Sequence, residues 1–137
     1  MLNSYTATLQ ELDINEDLVF STNRVATGCA VNHAEGTTTF TLTRPGYYYV
    51  GFNGDGATDG TAGTVTIELL NNGTPIGGAT ASAYSGAVTE VVNLGFSTVI
   101  KVLPYCRCVD NFATLTVRNV GVAATFDNVN ITITKLC

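Results

Sequence analysis

Four cysteines, one histidine and two aspartates are the residues of this 137-residue chain whose types and spacing suggest chemistry. Cys106 and Cys108 stand two apart in "LPYCRCVDN" (103–111), Cys137 is the last residue, and Cys29 lies far upstream. Such thiols serve as disulfide partners, as buried packing groups or as zinc ligands. The C-x-C spacing is poorer than the C-x₂₋₄-C that tetrahedral zinc sites prefer, so pairing is the leading reading. Four cysteines allow three pairings, and sequence does not choose among them. His33, four residues after Cys29, invites a Cys–His nucleophile. No third orienting group or oxyanion donor can be named beside it, and no G-x-S-x-G is present. No catalytic residue is assigned, and an enzyme is not expected. "NGDGATDG" (53–60) holds Asp55 and Asp59 with Asn53 and loosely resembles a calcium loop. It lacks the closing bidentate acid of the helix–loop–helix pattern. Ca²⁺ there is the one candidate ion, and no other cofactor is expected.

Composition narrows the class. Charged residues make up 12% of the chain, about half of what soluble proteins usually carry, and the net charge is −5. The six Lys and Arg are scattered, so the clustered cations that nucleic-acid binding needs are missing. No segment has the ~18 apolar residues of a spanning helix, so no membrane partner is expected. The start, "MLNSYTATLQELDINED", does not read as a signal peptide. Disulfides persist in oxidising surroundings, which favours a particle that ends up outside the cell. Without an export signal, release by lysis is the simplest route, and a virion is released that way.

These groups must be positioned by strands. Period-two alternation runs through 4–12, 17–25, 37–43, 47–52, 64–70, 89–94, 97–103, 113–120 and 129–136. Val65, Ile67 and Leu69 point one way, and Thr64, Thr66 and Glu68 the other. Turn signals separate the runs, among them "RPG", "NNGTPIGG" and "AYSG". The glycine-rich 51–63 stretch reads as a long loop. The expectation is one all-β domain over 1–137, an antiparallel sandwich or barrel.

The order of the pieces is more specific. "TTTFTLTRPGYYYVGFN" resembles the strand B, Pro-Gly turn, strand C element of the tumour necrosis factor and complement-head superfamily. "TVTIELLNNGTPIGGAT" looks like its strand D and the following turn, "VNLGFSTVIKVL" like strand F, and "NFATLTVRN" and "FDNVNITITKL" like strands G and H. The resemblance is nearest to bacterial and phage members. It implies a ten-strand antiparallel jelly roll that assembles as a homotrimer, with the inner sheet around the threefold axis. Tyr47, Tyr48 and Tyr49 put aromatic mass on both faces of strand C, and only one face can fill the protomer's own core. Tyr47, Tyr49, Asn130 and Thr132 are the expected trimer interface. Jelly-roll connectivity also brings the F–G connection and the end of strand H to one pole, so Cys29, Cys106, Cys108 and Cys137 are expected to gather there, beside Arg44 and Arg107. The function implied is a non-enzymatic surface or structural protein: a phage virion decoration or fibre head first, a spore- or cell-surface head second. Its partners are its own copies and a capsid or other surface protein. A lectin-like module binding glycan through Asn53, Asp55 and Asp59 is the reading from another class.

Overall fold

The computed structural model describes residues 1–103 and 113–136. Among them eleven strands form: β1 (Leu2–Thr6), β2 (Gln10–Leu12), β3 (Thr22–Ala26), β4 (Val31–Asn32), β5 (Phe40–Leu42), β6 (Gly46–Thr58), β7 (Gly63–Asn71), β8 (Thr74–Ser85), β9 (Val92–Val102), β10 (Ala113–Asn119) and β11 (Ala124–Lys135). One sheet runs β3-β1-β11-β6-β9, with β2 paired to β11. The other runs β4-β5-β10-β7-β8. All pairings are antiparallel. The chain crosses between the sheets after β3, β5, β6, β8, β9 and β10, and the product is the all-β jelly-roll sandwich that the resemblance implies.

The alternation decides the inner face. Val65, Ile67 and Leu69 on β7 and Val129, Ile131 and Ile133 on β11 have no exposed surface. Each such side chain contributes about 1.5–3 kcal/mol by leaving water. Phe20, Phe40, Tyr48, Val50 and Phe52 fill the space between the sheets, with Phe20 edge-on to Phe40 at 5.2 Å between ring centroids. β6 carries the deciding parity. Tyr48 is fully buried, whereas Tyr47 and Tyr49 point away from the core.

Several elements depart from the sequence reading. The 51–63 stretch is not a long loop: β6 continues through it to Thr58. Its glycines fit beneath large neighbours. A Cβ on Gly54 would sit 2.8 Å from Val129 Cγ1, and one on Gly56 would sit 3.2 Å from the Phe126 ring. The runs 89–94 and 97–103 are one strand, β9, continuous through Gly95. The run 4–12 splits into β1 and β2. β8 was read as turns. It is an edge strand of twelve residues that follows β7 through the Asn72–Gly73 turn, both residues at positive φ as a two-residue hairpin requires. The nine alternating runs thus become eleven strands among the described residues, by one split, one merger and the addition of β4 and β8, with the architecture kept.

Candidate functional site

The outer side of the six-stranded sheet is where the expected interface residues meet. Side chains at every second position of β1, β11, β6 and β9 form transverse rows across it. Thr134 pairs with Tyr49, and Tyr49 with Val99. One row along the sheet, Asn3 faces Thr132, Thr132 faces Gly51 and Gly51 faces Ser97. In the next, Tyr5 faces Asn130, Asn130 faces Asn53 and Asn53 faces Gly95. Tyr47, Tyr49 and Val99 are 45%, 39% and 54% exposed, a band of apolar surface that the protomer leaves uncovered.

The rows are held by side-chain hydrogen bonds. Asn3 Nδ2 donates to Asn130 Oδ1 and to Thr132 Oγ1, both at 2.9 Å. Asn3 Oδ1 is buried without a partner. The Tyr49 side chain leans over Gly51, where a Cβ would come within 2.8 Å of its hydroxyl. Gly51 thereby floors a shallow depression of about 320 Å³ whose walls include Tyr49, Asn53, Asn130 and Thr132. Lys101 Nζ stands 5.7 Å from the centre of the Tyr47 ring. All four expected interface residues therefore lie on one face. Behind it, the Tyr48 hydroxyl donates to Arg44 O at 2.7 Å. Burial pushes the Tyr48 phenol up from its ordinary value, opposed in part by that hydrogen bond and by the Arg44 charge.

The aspartates are arranged differently from the calcium-loop expectation. Asp55 and Asp59 do not coil around a common point. Asp55 lies within β6, and Asp59 follows the strand's end, with four extended residues spanning ~13 Å. Asn93 Nδ2 bridges Asp55 Oδ1 and Asn53 Oδ1, each at 3.0 Å. The residue across from Asp55 on β11 is Asp127, a neighbour that sequence spacing could not reveal. Among the described residues, no three His, Cys, Asp or Glu side chains converge.

Cys29 is exposed and has no disulfide partner among the described residues, and its Sγ accepts a hydrogen bond from Arg44 Nη2 at 2.8 Å. Cys106, Cys108 and Cys137 lie outside the described residues. Their nearest described neighbours occur at the Arg44 end of the sandwich. Val102, before Leu103, pairs with Gly46, Ala113 pairs with Leu42, and Leu136 N donates to Tyr47 O. His33 is no free hairpin-tip base. Its ring stacks on Phe40 at 4.2 Å, and its nitrogens contact Asn23 Oδ1 at 2.7 Å and Thr37 O at 3.0 Å. Both nitrogens are committed to structure.

No family model matches the chain, and no curated protein does either. Solved structures do match. Murine APRIL at pH 5.0 superposes with a TM-score of 0.65 at 10% identity, covering 98% of each chain. The PRD1 vertex protein P5 superposes with a TM-score of 0.59 at 14% identity, covering 99% of this chain and 96% of that one. At such identities the likeness is one of fold. The chain has the TNF-like jelly-roll fold. No helix among the described residues is long and apolar enough to cross a membrane.

Proposed function

We propose that this protein is a non-enzymatic, homotrimeric structural module on the surface of a phage virion. The observation that carries the reading is the uncovered band of Tyr47, Tyr49 and Val99 on the outer face of the six-stranded sheet. An aromatic side chain buries roughly 150–250 Å² when covered, and the described residues leave these two 45% and 39% exposed. The TNF-like fold supports self-packing on this sheet, and the likeness to a vertex protein over nearly the whole chain supports a virion setting. In the trimer, Tyr47, Tyr49 and Val99 pack toward the axis, and Asn130 and Thr132 lie at the margin of the contact. A stable contact buries about 1,600 Å² in total, which is what the proposed interface must supply. The cysteines supply the anchor: Cys29, with Cys106, Cys108 and Cys137, joins the trimer internally or to its carrier.

Light scattering in solution tests the assembly. The expected mass is three times the 14.4 kDa protomer. Replacing Tyr47 and Tyr49 together by Ser should give a folded monomer with unchanged strand content. A wild-type chain that stays monomeric at micromolar concentration removes the reading. Immunogold labelling of purified phage particles tests the location, and unlabelled particles sink it.

A further inference from the structure

The margin of the same sheet nearest β3 carries a second feature, built from two irregularities. Between β3 and β1 the register slips: Asn3 faces Val25 but Ser4 faces Asn23, so Arg24 is the extra residue of a β-bulge. Between β11 and β6 the register slips again from Asp127 to Asn130, and Asn128 there adopts φ 49°. Bulges re-aim side chains, and a non-glycine residue at positive φ costs free energy that its surroundings must offset. Both irregularities border one depression of about 220 Å³, lined by Tyr5, Thr6, Arg24, Asn128, Val129 and Asn130.

The chemistry of that lining is one-sided. The Arg24 guanidinium lies over the Tyr5 ring, 4.6 Å from its centre, which orients the fork and leaves its edge N–H groups open. Arg24 has no carboxylate partner among the described residues, where the ion pair is Arg118 with Asp17. Asn130 Oδ1 already accepts from Asn3, so what Asn130 can offer a ligand is its N–H₂. The Thr6 hydroxyl is spent, donating to Val19 O and accepting from Ser21 N. What remains is a fixed cation with amide donors beside it, on a chain of net charge −5.

We propose that this depression binds the carboxylate of an acidic saccharide. The guanidinium fork takes the two carboxylate oxygens side by side, and the Asn128 and Asn130 amides hydrogen-bond hydroxyls of the same sugar ring. The lining other than Val129 is polar, which suits a hydroxyl-rich ring and offers an acidic peptide little for its apolar side chains. The site is complete within one protomer. Tyr5 and Arg24 stand at least two strands away from the Tyr47 and Tyr49 band, while Asn130 also borders the margin of the proposed trimer contact.

Calorimetric titration of the intact protein with a galacturonate disaccharide, its neutral galactose counterpart, acetate and an acidic peptide tests the proposal. The uronate should bind at least roughly tenfold more tightly than each of the others, as one charge-assisted contact implies. Added salt should weaken it, since the pair is open to solvent. Arg24→Ala should remove the preference. Arg24→Lys should lose most of it, because a point charge cannot form the paired contact. Asn128→Gly, which keeps the positive φ, should weaken binding with the melting temperature held. Equal binding of acidic and neutral sugars, a match by acetate or peptide, no binding at millimolar ligand, or an indifferent Arg24→Ala variant overturns the proposal.

Discussion

At the residue scale, the three consecutive tyrosines show how parity separates roles. Tyr48 is a core residue with a polar end: its ring is buried and its hydroxyl closes on Arg44 O. Tyr48→Phe keeps the ring and orphans that carbonyl, at a cost of about 1 kcal/mol in denaturant unfolding. Tyr48→Ala empties the site and should cost ~3–5 kcal/mol. The phenol also sets a pH limit. Its folded pKa is raised above the ordinary value of about 10, so the folded state holds the proton more tightly than the unfolded chain does. The resulting stabilisation is complete below pH ~10 and is lost as pH rises through the folded value. Melting temperatures measured between pH 9 and 11 should therefore fall with a slope that Tyr48→Phe reduces. An unchanged slope would mean that other groups govern alkaline unfolding.

At the element scale, several glycines are where one strand makes room for its neighbour. Gly54 and Gly56 let β6 run beneath Val129 and Phe126. Gly121, in the β10–β11 connection, is tighter still: a Cβ there would overlap the Thr64 carbonyl oxygen and the Thr66 nitrogen, both backbone atoms that cannot swing aside. Gly60, in the β6–β7 connection, has open space around its Cβ position. Gly121→Ala should cost on the order of 1–3 kcal/mol, in the range of overpacking, while Gly60→Ala stays within about 0.5 kcal/mol. Thermal melts of the two variants side by side check this. Equal melting temperatures would show that the connection yields more easily than its backbone contacts imply.

At the scale of the whole molecule, the two faces of the six-stranded sheet divide the work. One is sealed against the second sheet, and the other carries the tyrosine band of the proposed trimer and the notch of the proposed saccharide site. The cysteines bear on the same scale. Cys29 presents an exposed thiol beside Arg44. In the proposed assembly, thiol titration of the air-oxidised protein should find fewer than four free thiols per chain. Non-reducing electrophoresis should show a covalent oligomer that Cys137→Ser abolishes. Four reactive thiols under air would leave the cysteines as packing groups.

Much of this organisation was legible in the chain itself, because strands alternate with period two and that period is written in residue types. The inward set of β7 and β11 and the opposite facing of Tyr48 against Tyr47 and Tyr49 follow from it, while the jelly-roll order came from the resemblance. What the chain concealed shares one cause. β8 carries Ala, Gly and Ser where alternation needs bulk, since an edge strand with little to bury has no need of an apolar stripe. The second half of β6 reads as a loop because its glycines are explained by Val129 and Phe126, which are distant in sequence. Asp127 opposite Asp55, the His33 ring against Phe40, and the two bulges that turn Arg24 and Asn128 toward one notch likewise depend on register between distant strands. Periodicity is a local property that sequence records. Register and close approach are set by whichever pairing buries the core best, and only the folded chain decides them.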